Sequence, residues 1–183
     1  DIATLVLPFL AEGVPLRVRI EALVVIRDHG AQGLEKTLVT MLNEDQPRRV
    51  KERFTLTIVG AAKSLPPSES SAVIAKALNE TKFRTVKLAA ARALGDVRTS
   101  AGKKALLGTA DASNRDEYVS SAAALSLLQF GSLEGIGQLV KRLVQRKGRS
   151  QTLYKAICRG AHKEDSGFLD VPHSRYYQVP REE

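Results

Sequence analysis

Tryptophan is absent from this 183-residue chain, aromatic side chains make up only 5% of it, and it holds one cysteine and one methionine. Each shortage excludes something. No apolar run approaches the roughly 18 to 20 residues that cross a bilayer as a helix, so no transmembrane segment is expected, and no charged stretch followed by an apolar one opens the chain as a secretory leader would. The lone Cys158 rules out an intrachain disulfide and any thiolate cluster built from this chain alone, and leaves the compartment open. The three histidines, His29, His162 and His173, have no metal-ligand spacing. Cys158 and His162 are four residues apart with Gly160 between them, which is no supported nucleophile pair. Gly131, Gly135 and Gly137 lack the strand, the Lys and the Thr of a phosphate-binding loop. The residues thus call for no enzymatic chemistry, no metal and no cofactor.

What the chain has instead is 43% apolar residues rich in Ala and Leu, side chains that form helices and let them pack closely, together with 26% charged residues. This favours an all-helical protein. The net charge of +8 is uneven. Residues 1–47 carry four basic and seven acidic side chains, a net −3; residues 48–110 carry thirteen and four, a net +9; residues 111–183 carry eleven and nine, a net +2. Within the last part, residues 141–159 hold seven basic side chains and no acid. A basic surface so localised points to an acidic partner.

The chain also repeats itself. Segments opening at Val18-Arg19, Val50-Lys51, Val86-Lys87 and Val119-Ser120 follow one another at spacings of 32, 36 and 33 residues, and a fifth start near Leu153 keeps the period. Counting from each Val, position +4 is Ala22, Phe54, Ala90 and Ala123, and position +8 is Ile26, Ile58, Leu94 and Leu127, which share one helical face. Position +7 is Val25, Thr57, Ala93 and Ser126, small or β-branched as close helix contact requires. Each such helix runs into a breaker, at His29-Gly30, Pro66-Pro67, Gly95 and Gly131, and a second apolar helix follows. Its stripe reads Leu34, Leu38 and Leu42 in the first unit, Val73, Ile74, Ala77 and Leu78 in the second, a shorter Ala105, Leu106 and Leu107 in the third, and Ile136, Leu139, Val140 and Leu143 in the fourth. Residues 2–11, with Leu5, Val6, Phe9 and Leu10, read as the second helix of an earlier unit, so a stretch of a longer protein is expected.

In these features, from about residue 2 to 147, the chain resembles the HEAT repeat family, in particular its short bacterial type, also called phycobilisome-lyase-like repeats. The resemblance rests on the Val-basic pair of the first three units, from which Ser120 departs, on the Ala-rich LAAARALG at 88–95, and on the Leu-rich second helices. Armadillo units, with three helices and about 40 residues, and tetratricopeptide units, with set Trp and Tyr positions, fit less well. The resemblance implies a right-handed α-α superhelix of about four to five helical hairpins over residues 1–159, first helices convex and second helices concave, each hairpin burying its faces on its neighbours. Residues 160–183 break the period and are expected to form an extended tail.

Two binding surfaces follow. Lys36, Lys76, Lys103 with Lys104, and Lys141 with Arg142 recur once per unit on the second helices. If family geometry holds, they line a concave basic ridge that suits a phosphate backbone, an acidic peptide or an anionic membrane face; the bland alternative is a set of solvated helix faces. The run KRLVQRKGR at 141–149 extends that ridge through Arg146, Lys147 and Arg149, and equally suits a helix end where cations meet the dipole. Arg19, Lys51 and Lys87 read as structural cations for Glu44, Asp45, Glu80 and Asp96. In the tail, Phe168, Leu169, Tyr176 and Tyr177 are apolar enough to pack on this chain or on a neighbour. The expected function is therefore non-enzymatic: a scaffold or structural component of a larger assembly, whose partners are protein subunits with acidic surfaces. The alternative is a nucleic-acid-binding HEAT-like protein. HEAT-like DNA glycosylases share the architecture, but the missing Trp argues against their mechanism; a bilin-attaching lyase is implied only by the family's name, with Cys158 its sole support.

Overall fold

The computed structural model describes residues 1–111 and 114–164, and for Ala161 to Glu164 the backbone alone. Ten α-helices and one 3₁₀ turn make up the described residues: α1 (Ile2–Leu10), α2 (Leu16–His29), α3 (Glu35–Asn43), α4 (Arg48–Ala62), α5 (Pro67–Glu80), α6 (Arg84–Val97), α7 (Ser100–Ala110), α8 (Glu117–Leu127), the 3₁₀ turn Leu128–Phe130, α9 (Glu134–Gln145) and α10 (Gln151–Glu164). The protein is all-α, and among the described residues no helix is long and apolar enough to cross a membrane.

The helices pack in two adjoining rows. In one, α2 lies against α4, α4 against α6, α6 against α8 and α8 against α10; in the other, α3 lies against α5, α5 against α7 and α7 against α9. Helix α1 packs on α2. The repeat positions account for the core between the rows: Ala22, Phe54, Ala90 and Ala123 are all buried, as are Ile26, Ile58, Leu94 and Leu127. The unit-opening valines divide, since Val86 and Val119 are buried while Val18 is exposed at the end of its row. In the second helices Leu34, Leu38, Val73, Ile74, Ala77, Leu78, Leu106 and Leu139 are buried, whereas Val140 is exposed.

Contacts at the repeat spacing tie each unit to the next. The Glu69 carboxylate, in the first turn of α5, accepts from the backbone N–H groups of Gly33 (2.9 Å) and Leu34 (3.2 Å). It thereby caps α3 of the preceding unit, whose own Leu34 offers no capping side chain. The Ser64 hydroxyl donates to the Arg27 carbonyl (2.6 Å), Lys63 pairs with Asp96 (2.7 Å), Thr85 donates to Glu52, and Arg84 pairs with Asp116 (2.7 Å). Ser150 donates to Glu117 (2.7 Å).

Two sequence expectations are corrected. Gly95 does not break its helix: it is buried inside α6, where a Cβ would sit 3.0 Å from the Ser126 Cβ, so its role is to let α6 and α8 approach. Helix α6 ends at Arg98, in the left-handed region at φ 55°. Likewise, residues 160–164 are helical, because α10 continues to Glu164 instead of giving way to an extended tail at 160. Gly160 is buried against Ile136, a contact that any side chain would obstruct.

Candidate interaction surface

The second-helix cations do lie on consecutive members of one row, but they do not form a uniform free ridge. Lys36 on α3, Lys104 on α7 and Lys141 on α9 are exposed, and Lys103 is half-buried. Lys76 pairs with Glu80 four residues on (2.8 Å), which neutralises it within its own helix. Arg142 is only 3% exposed and donates to the Ser120 hydroxyl (2.9 Å), so it belongs to the joint between α8 and α9 rather than to a binding surface. It stands in the last turn of α9, where the helix dipole favours a cation. Arg146 pairs with Glu117, which also accepts from Ser150. That leaves Lys147 and Arg149 exposed in the turn between α9 and α10, the former held at φ 52° as the helix ends. Phe168, Leu169, Tyr176 and Tyr177 lie outside the described residues.

Of the structural cations, Arg19 meets its expected partner. Its two terminal nitrogens contact both Glu44 oxygens (2.6 and 2.5 Å), and its guanidinium stacks over the Phe54 ring at 5.2 Å. Lys51 and Lys87 have no acidic partner among the described residues: Glu80 is held by Lys76 and Asp96 by Lys63.

The electrostatic pattern is clearest in residues 48–110, where all four acids are engaged: Glu52 with Thr85, Glu69 with the α3 N-terminus, Glu80 with Lys76 and Asp96 with Lys63. Arg84 is satisfied by Asp116 of the following unit. The other basic side chains of this stretch have no acidic partner among the described residues: Arg48, Arg49, Lys51 and Arg53 around the start of α4; Lys82, Lys87, Arg92 and Arg98 around α6; Lys103 and Lys104 on α7. A surface with its acids spent on internal joints presents its remaining charge outward.

Asp116 is one of those joints. It caps α8 by accepting from the N–H groups of Tyr118 (3.1 Å) and Val119 (3.3 Å). Partial burial would raise its pKa, but the Arg84 hydrogen bond and charge, with the two backbone donors, outweigh burial and hold it below the usual aspartate range.

The sequence reading missed a groove over the other row. It is lined by Leu88 and Arg92 of α6, by Tyr118, Ser121, Ala122, Leu125 and Ser126 of α8, by Gln129 just beyond it, and by Gln151, Thr152, Lys155, Ala156 and Arg159 of α10, with a volume of about 560 Å³. The signal that could have found it is an absence: no charged residue occurs from Tyr118 to Leu133. Ser121, Ala122 and Ser126 are the small side chains that α8 contributes to the lining. Among the described residues no group of His, Cys, Asp and Glu side chains could hold a metal ion. No family model matches the chain, and searches of curated proteins and of solved structures return no match.

Proposed function

We propose that this chain is a HEAT-type repeat protein whose two helix rows wind into a right-handed superhelix, and that it serves as a non-enzymatic interaction module within a larger protein assembly. Two-row packing with joints recurring at the repeat spacing supports the architecture. The observation that carries the function is the electrostatic one: between residues 48 and 110 every acid is consumed by an internal contact, while cations on α4, α6 and α7 have no acidic partner among the described residues. A protein partner with an acidic face satisfies them. Lys36, Lys104 and Lys141, all exposed, add cations on the other helix row, and Lys147 and Arg149 add exposed cations in the turn after α9.

Crosslinking mass spectrometry on the protein captured from its native extract tests this. Reproducible crosslinks from Lys36, Lys104 and Lys141 to one or a few proteins are expected, with acidic residues enriched at the contact. Crosslinks to nucleic acid alone, with affinity that collapses between about 50 and 200 mM salt, would replace the protein partner with a polyanion. Small-angle scattering tests the shape: an elongated, curved particle is expected and a spherical one would remove the superhelix.

A further inference from the structure

We propose that the groove across α6, α8 and α10 is a docking site for an acidic amphipathic helix of a partner protein. The inference rests on the interaction reading above but uses the opposite helix row, away from Lys36, Lys104 and Lys141.

The shape argument begins with α8, which contacts both α6 and α10. Neighbouring helix axes lie roughly 8–10 Å apart, so α6 and α10 stand at most roughly 16–20 Å from each other with α8 between them. A helix about 10 Å across fits that space. The floor is apolar: Leu88, Ala122 and Leu125 line it and are each only partly buried, so their remaining apolar surface is open to a ligand. Ala122, Leu125 and Gln129 fall three and four residues apart along one strip of the chain, the spacing at which a second helix interdigitates.

The charge argument selects the occupant. Arg92 on α6 and Arg159 on α10 line opposite sides of the groove, both are exposed, and neither has an acidic partner among the described residues. An apolar stripe set on the floor, flanked by carboxylates reaching Arg92 and Arg159, meets both features.

The test uses the full chain and two labelled helical peptides of about sixteen residues with the same leucine stripe, one flanked by Glu and the other by Lys, read by fluorescence anisotropy. The Glu peptide is expected to bind at least tenfold more tightly than the Lys peptide. The Arg92→Glu/Arg159→Glu double variant should lose at least tenfold, and Ala122→Trp, which fills the floor, should lose as much with unchanged circular dichroism. Lys36→Glu/Lys104→Glu should change binding less than twofold. Equal binding of the two peptides, or binding indifferent to the groove variants, overturns the proposal. Binding lost only in the Lys36→Glu/Lys104→Glu variant overturns the groove while leaving the interaction module standing. A photocrosslinker at position 122 that captures residues 165–183 of its own chain overturns it too, since the site then serves this chain itself.

Discussion

Arg19 and Ser120 hold the same place in their units, one residue after the opening valine, and both are buried, yet the joints they make are built in opposite senses. In the first unit the cation stands on the first helix and reaches Glu44 just beyond the second, with Phe54 of the next unit beneath it. In the fourth, the first helix offers only a hydroxyl, and the cation comes from the second helix, Arg142. In these two units the position makes a polar tie between the two rows, and either row can supply the charge, whereas Lys51 and Lys87 at the same place have no acidic partner among the described residues. The energetics differ even so. Arg19 is a buried charge compensated by an opposite charge, whereas Arg142 has no acid within ion-pair reach among the described residues and relies on the Ser120 hydroxyl and its place at the end of α9.

The sharpest way to break the comparison is Glu44→Ala. It strands the Arg19 guanidinium, whose Nε already has no partner, in the interior, and urea denaturation should show a loss of about 4 kcal/mol. Gly135→Ala comes next. A Cβ there would lie 2.7 Å from the Ala124 Cα, a backbone atom that cannot yield, so the α8–α9 joint should lose about 2 kcal/mol by the same assay. Ser120→Ala takes one acceptor from the buried Arg142 but removes no opposite charge; a loss of about 1.5 kcal/mol is expected, well below that of Glu44→Ala. Equal losses at Glu44 and Ser120 would show that the two joints are energetically alike despite their different chemistry.

The smallest effect is expected at Asp116→Ala, about 1 kcal/mol for the lost cap. Its sign with pH is fixed by the lowered pKa of Asp116. The ionised carboxylate stabilises the fold fully above the unfolded value of about 3.9, and that contribution disappears as pH falls through the lower folded value. Thermal melts should therefore separate parent and variant at pH 7 and bring them together in strong acid.

The helix order and its core were legible because the apolar residues carry the period directly: positions +4 and +8 are buried in every unit. Burial of charge was not legible in the same way. The run from Lys141 to Arg149 reads as one basic patch, yet Arg142 turns into the α8–α9 joint and Arg146 onto Glu117, partners 22 to 29 residues earlier that no local pattern identifies. Gly95 misled for a related reason, since a glycine needed for close helix approach and one needed to end a helix look alike along the chain. The groove over α8 escaped because it is made by what three helices fail to fill, and its only trace in the sequence is the uncharged stretch from Tyr118 to Leu133.

The reach of the contacts also bears on how the chain folds. Principal helix contacts extend no further than the next helix but one, so every tertiary contact among them closes a loop of modest length whatever the total number of units. Folding of this kind is fast for its size and needs no distant segment to arrive first. During synthesis, a hairpin leaving the ribosome would find its seat already built by the one before it, so assembly can keep pace with translation.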